Sequence, residues 1–354
     1  MTRNSKWLLY GAYGYSGRLI LEEALRRGHK PVVAGRDEKK LSSLAQEFGL
    51  EMKVLSLQDR QGLKKALEDV SLVFNAAGPF IHTFEPIVNA CLETGRHYLD
   101  ITGEIPVFER AFSLDITARQ KEICILPGAG FDVVPTDCLA KYLSEQLPDA
   151  DSLELAFAGL SRMSRGTIKT MIEFLPGGGL VRRDGKLITV PMGAYVKKVP
   201  FPGRKFTVMS IPWGDLSTAY RSTGIKNITT FMAYPPRIAH SMRYTGPVLA
   251  GALRFGLLRR SVQYLVSKLI SGPDESLRNT ASAFVYARVE DRKGNVKEAW
   301  LETIEVYKFT AHAGVRSVEG ILGNKLRGTL TPSLAFGSDF VLTIEGTKRY
   351  DELP

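Results

Sequence analysis

Six short apolar runs organise the first third of the chain. Trp7–Tyr10, Pro31–Gly35, Met52–Leu57, Leu72–Ala76, His97–Ile101 and Ile123–Pro127 are nearly continuous in apolar residues rather than alternating, as expected of strands covered on both faces. Between them lie segments with apolar positions at helical spacing, such as Ser16–Arg27 and Phe84–Thr94. Strands that alternate with helices predict an α/β domain: a doubly wound parallel sheet of the Rossmann type.

After Pro135 the pattern changes. A helix over Thr136–Leu147 leads to the run Ser152–Phe157, and turn-rich stretches follow at Pro176–Gly179, Arg182–Lys186 and Phe201–Lys205. Ser282–Val289 and Ala299–Val306 flank DRKGN (Asp291–Asn295), whose glycine suits a hairpin. We therefore expect a nucleotide-binding domain over residues 1–135. Residues 136–354 should form an α+β substrate or oligomerisation domain with a mainly antiparallel sheet, its C-terminal part free to return to the first domain.

The first run ends in GAYGYSG. Gly11, Gly14 and Gly17 bracket Ala12, Tyr13, Tyr15 and Ser16 where a strand must turn sharply into a helix. Residues without Cβ allow that turn and let a ligand approach the bare backbone. The orphan N–H groups and the dipole at the helix start favour a pyrophosphate. The second run ends in AGRDEKKL, where an NAD site places an acid on the ribose diol and an NADP site needs cations. Arg36 stands there, with Lys39 and Lys40 a turn later, so NADP is the expected cofactor. Asp37 either caps the next helix or faces the ribose. Ala76, Ala77, Gly78, Pro79 and Phe80 end the fourth run with side chains small enough for a nicotinamide to lie near the main chain. Asp59 is a candidate for the adenine side or an ordinary turn aspartate.

In an open parallel sheet ligands lie beyond the carboxyl ends of the strands. The loops there offer Asp100, Thr102, Glu104 and Asp132. A carboxyl group desolvated beside a nicotinamide can serve as the general acid that hydride addition requires. Equally, Glu104 can favour a helix N-terminus and Asp132 can brace a loop. Arg165 and Thr167 precede a helix-like segment and are candidates for binding an anionic part of the substrate, or for an N-cap with a surface arginine. Trp213 and Tyr220, near Asp215, suit either an aromatic wall of the site or core packing. Tyr264 and Lys268 match a YxxxK spacing but lie far beyond the nucleotide domain, where tyrosine is expected in a core or an interface.

Taken together, GAYGYSGRLI, AGRD, NAAGPF, HYLDITGE (His97–Glu104), PGAGFDVVPTD (Pro127–Asp137), SRGT (Ser164–Thr167), PWGDLSTAYRSTGIKNI (Pro212–Ile228) and TPSLAFGSDFVL (Thr331–Leu342) resemble the saccharopine dehydrogenase-like oxidoreductases. Within that family the likeness is to the branch that includes trans-acting enoyl reductases. The resemblance implies an NADP-binding domain, a substrate domain, and hydride transfer to a C=C or C=N bond. We expect an activated C=C bond of an acyl or lipid-like substrate. The alternatives are an imino-acid C=N bond, or a nucleotide-regulated lipid-surface or scaffold protein without turnover.

Composition sharpens this picture in three places. With 354 residues, the chain exceeds the single-core limit of roughly 250 to 300. The net charge of +10 is uneven: residues 1–150 carry 18 Lys and Arg against 20 Asp and Glu, and the remainder carries 29 against 17. The excess cations of the second part suit an acidic substrate or lipid head groups more than nucleic acid. From Pro236 to Ile270 six cations and no acid accompany apolar residues at helical spacing: Val248, Ala252, Phe255, Leu258, Val262, Val266 and Leu269. Such a helix lies on an anionic membrane surface, or packs on the second domain or a sister subunit of a homo-oligomer. Finally, Cys91, Cys124 and Cys138 form no CxxC pair, so no metal site or disulfide framework is expected. The short first run suits no signal peptide, and no run of about 18 uncharged apolar residues suits a membrane span. A cytoplasmic protein, at most peripheral to a membrane, is expected.

Overall fold

The computed structural model describes residues 6–159, 168, 172–173, 175–269, 276 and 280–353. The chain divides into two compact units, Met1–Val134 with Tyr307–Phe336, and Pro135–Val306 with Gly337–Pro354.

The first unit holds β1 (Trp7–Tyr10), β2 (Val32–Gly35), β3 (Met52–Val54), β4 (Leu72–Asn75), β5 (His97–Asp100) and β6 (Cys124–Leu126). Strand order is β6-β5-β4-β1-β2-β3, every pair parallel, with the short strand Gly328–Thr329 added beside β6. This is the doubly wound order with its reversal between β1 and β4, where a crevice opens at the strand ends.

Alternation along β1 shows why its residues are all apolar. Leu8 and Tyr10 enter one layer, with Val73, Tyr98 and Ile125, against Leu63, Phe84, Val88, Val107 and Ala111 of α3 (Arg60–Leu67), α4 (Phe80–Thr94) and α5 (Ile105–Ser113). Trp7 and Leu9 enter the other. There Phe74, Leu99 and Leu126 meet Ile20 and Leu21 of α1 (Tyr15–Arg26), Leu41 and Leu44 of α2 (Glu38–Phe48), and Ala311, Val315 and Val318 of the helix Val306–Gly323. Each fully buried Leu, Val or Phe contributes about 1.5–3 kcal/mol. The returning helix is thus part of the first core, although 179 residues separate it from β6.

The second unit is built on a mixed sheet of nine strands among the described residues. It comprises β7 (Ala150–Ala158), β8 (Gly179–Arg183), β9 (Lys186–Val190), β10 (Val196–Phe201), β11 (Arg204–Ser210), β12 (Asn227–Ala233), β13 (Ser282–Asp291), β14 (Val296–Ile304) and the strand Lys348–Tyr350. All pairs are antiparallel except β7 with β12, so the mainly antiparallel expectation holds. The β13–β14 hairpin turns where the sequence suggests. Asp291 Oδ1 accepts the N–H groups of Lys293 and Asn295, both at 2.8 Å, while Gly294 takes φ +86°.

Element limits differ from the sequence reading in informative ways. Helix α4 begins at Phe80 rather than Phe84, because a carboxylate from another loop satisfies its first N–H groups. The third strand stops at Val54 because Leu55 to Gln58 begin the turn into α3.

Candidate functional site

Three turns lie together at the carboxyl ends of β1, β2 and β4. In the first, Gly11 adopts φ +84°, and a Cβ there would come within 2.9 Å of Ala77 Cβ. A Cβ on Gly17 would sit 2.2 Å from Gly11 O, so this corner closes only with glycine. Gly14 N donates to Gly11 O at 2.9 Å, and Gly14 is the N-cap of α1 with no side-chain cap. Ala12 is buried beneath the turn, whereas Tyr13, Tyr15 and Ser16 are partly exposed along it. Tyr15 meets Tyr307 edge-on at 4.9 Å.

At the end of β2 the ambiguity over Asp37 is resolved. Its carboxylate accepts Lys40 N–H at 3.1 Å and pairs with Lys40 Nζ at 3.3 Å, so it caps α2. Arg36 is exposed beside it. Tyr13 crosses from the glycine turn: its Oη accepts Asp37 N–H at 3.3 Å, its ring lies against Gly35, and Lys40 Nζ stands 5.9 Å from the ring centre. An uncapped helix start, a glycine corner, and cations with the nearby acid turned into its own helix fit a dinucleotide with a 2′-phosphate.

The loops after β4, β5 and β6 are tied by a buried polar network. Asn75 Nδ2 donates to Tyr98 Oη at 3.1 Å and Thr83 Oγ1 at 3.0 Å, and its Oδ1 accepts Ala77 N–H at 3.1 Å. Tyr98 Oη donates to Asp100 Oδ2 at 2.7 Å. Asp100 Oδ1 accepts N–H from Thr102 and Gly128, both at 2.9 Å. Burial pushes the Asp100 carboxyl up to about 6, against the pull of these three hydrogen bonds. Glu104 accepts Phe80 N–H at 2.8 Å and Ile81 N–H at 2.7 Å, capping α4 and holding the Ala76–Phe80 turn, which includes Gly78 and Pro79.

Asp132 is placed differently. It is partly exposed, and it lies against the loop after β5, where a Cβ on Gly103 would come within 2.9 Å of Asp132 Oδ2. Burial of its carboxyl pushes it up to about 7. The preceding Phe131 is fixed by Thr310 of the returning helix, whose Oγ1 accepts Phe131 N–H at 3.0 Å, and by an edge-on contact with Phe309 at 5.7 Å.

Residues 7–125 match the family model described as the saccharopine dehydrogenase NADP binding domain. The first part of the chain is thus similar to that NADP-binding domain. NADP is the cofactor of its first unit. The human protein named saccharopine dehydrogenase-like oxidoreductase is 28% identical over 161 residues, 40% of this chain and 37% of that protein. A Caenorhabditis elegans lipid droplet localized protein is 28% identical over 204 residues, covering 50% and 47%. A Mycobacterium tuberculosis protein assigned the name trans-acting enoyl reductase is 28% identical over 186 residues, covering 48% and 43%. The aligned stretches thus span less than half the length of each of these relatives. Among solved structures, saccharopine dehydrogenase (L-Glu forming) of Saccharomyces cerevisiae shares the fold with a TM-score of 0.66 at 14% identity. That match covers 98% of this chain and all of the yeast one.

The remaining candidates are placed as follows. Asp59 caps α3 by accepting Gly62 N–H at 2.9 Å. In the second unit Trp213 packs on Phe157 at 4.8 Å between ring centres. Tyr220 lies on the Arg182 guanidinium at 4.3 Å, and Arg182 in turn donates to Leu216 O and Gly185 O. Arg165 and Thr167 lie outside the described residues. Tyr264 is exposed rather than set in a core. Sequence reasoning did not single out Asn75 or Tyr98, although Tyr98 and Asp100 share a strand face two residues apart. Nothing local marks Thr310.

Proposed function

We propose that the protein is an NADPH-dependent reductase that delivers a hydride to the activated C=C bond of an acyl or lipid-like substrate. The observation that carries this reading is the pinned loop cluster beyond β4, β5 and β6, with Asp132 at its edge. Bound NADPH supplies the hydride. In this reading the backbone of Gly11 to Gly17 and the start of α1 hold the diphosphate, and Arg36 faces the 2′-phosphate with Tyr13 beside it. The small side chains of Ala76, Ala77 and Gly78 leave room against the main chain for the nicotinamide ring. Asp100 and Glu104 keep the loops in place through the backbone N–H groups they accept. Asp132, with a carboxyl raised toward neutrality, gives the proton that the α-carbon takes up after hydride has added to the β-carbon. Trp213 and Tyr220 belong to the second unit, which we assign to the substrate.

The names of the Mycobacterium and Caenorhabditis relatives support an acyl substrate and a location at a lipid surface. The test is NADPH oxidation by the purified chain with an α,β-unsaturated acyl thioester and, in parallel, a cyclic imino acid. The reading expects turnover with the thioester. Turnover confined to the imino acid moves the reaction to C=N chemistry, and cofactor binding without turnover on either replaces the enzyme by a nucleotide-regulated scaffold.

A further inference from the structure

The helices Pro236–Leu253 and Gly256–Leu269 follow one another across Arg254 and Phe255, and the packing of the first is inverted relative to an ordinary surface element. A surface helix normally buries its bulky apolar stripe and exposes polar residues. Here the first helix buries small residues, Ala239, Gly246 and Ala250, together with Leu253 at its end. Gly246 lies so close to Met192 that a Cβ would meet Met192 Cβ at 3.1 Å. The bulky side chains point outward: Tyr244 is 77% exposed, Val248 73%, Phe255 73% and Leu257 83%. Phe255 and Leu257 sit at the turn itself, between the exposed cations Arg254 and Arg260.

We propose that this turn docks on an anionic lipid surface, Phe255 and Leu257 entering the acyl boundary while Arg254 and Arg260 meet phosphate groups. The proposal rests on the location part of the reading above and not on the hydride chemistry. Charge decides the occupant. No Asp or Glu occurs between Pro236 and Pro273, and among the described residues the acid that meets the second helix, Glu173, is paired with Arg259 at 3.5 Å and Gln263 at 2.9 Å. A second copy of the chain would bring the same cationic surface to itself across a two-fold axis, with no further acid among the described residues of the two helices to offset it. Anionic lipid supplies both the opposite charge and a medium for the apolar turn. Among the described residues no helix is long and apolar enough to cross a membrane, which fits a surface attachment.

Flotation of the full chain with vesicles tests this, using equal parts phosphatidylcholine and phosphatidylglycerol against phosphatidylcholine alone. Binding is expected on the anionic vesicles only, and it should weaken as salt rises. Phe255→Glu with Leu257→Glu should abolish it. Arg254→Ala with Arg260→Ala should weaken it roughly 30-fold, at the usual contribution of a basic residue near an anionic surface. Three results overturn the proposal: no binding to anionic vesicles, equal binding to both vesicle types, or wild-type binding by the glutamate variant. Light scattering that shows a dimer dissociated by these substitutions, without vesicle binding, assigns the surface to a second copy instead. NADPH titration of the same samples separates the two readings. Retained cofactor binding with failed flotation removes the docking alone, and bound vesicles without cofactor binding remove the reductase alone.

Discussion

Arg36 and Asp132 carry the sharpest consequences for single residues. Arg36 is exposed at the end of β2, and the neighbouring carboxylate is committed to capping α2, so the residue is available to a 2′-phosphate. A charge-assisted hydrogen bond is worth about 1.5–3 kcal/mol, so Arg36→Ala should weaken NADPH binding about 10- to 100-fold. NADH binding should stay nearly unchanged, as calorimetry can show. Asp132, with its carboxyl pushed up to about 7, keeps its proton below about pH 7 and loses it above. As a proton donor it should give a kcat/KM that is flat below about pH 7 and falls above it, a limb absent from the much slower Asp132→Asn variant. The same shift has a stability sign. The folded state holds this proton more tightly than the unfolded chain, so the associated stability is complete below about pH 4 and is lost as pH rises through 7. Asp132→Asn should therefore melt higher than the wild type at about pH 8 and equally at about pH 4. The glycine corner and Arg36 were legible in the sequence because they act through local backbone and charge. The hydrogen-bond partners of Asp100 and Glu104 were not, since spacing alone does not say which distant N–H group a carboxylate reaches.

At the scale of elements, the site depends on caps and braces that cross between loops. Glu104 lies beyond the end of β5 yet satisfies the first two N–H groups of α4, placing the start of that helix four residues earlier than its apolar periodicity suggests. Glu104→Ala takes this acceptor from both donors, that of buried Phe80 included, and should cost about 2 kcal/mol of stability in denaturant unfolding, with a larger loss for NADPH affinity than a distant surface change produces. The conservative Glu104→Gln keeps one acceptor and should recover part of both. The six parallel strands were visible because each is a short continuous apolar run bounded by turn residues. The helix Val306–Gly323 was harder to place. Its buried positions Ala311, Val315 and Val318 read as a core face, but the six strands they help to cover lie between Trp7 and Leu126. Thr310, which holds the loop before Asp132, travels with that helix and could be recognised only once the two segments were seen together.

For the whole molecule, the uneven charge gains a location in the structure. The acid-free stretch beginning at Pro236 forms two helices that turn bulky apolar side chains to solvent, a feature that composition alone presents equally well as buried packing. The two units divide the chain unevenly: one, which takes back Tyr307–Phe336, supplies the parallel sheet to which we assign the dinucleotide, and the other a mainly antiparallel sheet to which we assign the substrate. The proposed reaction is tested most directly with NADPH deuterated at the transferring carbon and an α,β-unsaturated acyl thioester, followed by mass spectrometry of the product. The account predicts a saturated product with one deuterium on the β-carbon. A cofactor-saturated enzyme that leaves the thioester unreduced, or a reduced product without that label, would contradict it.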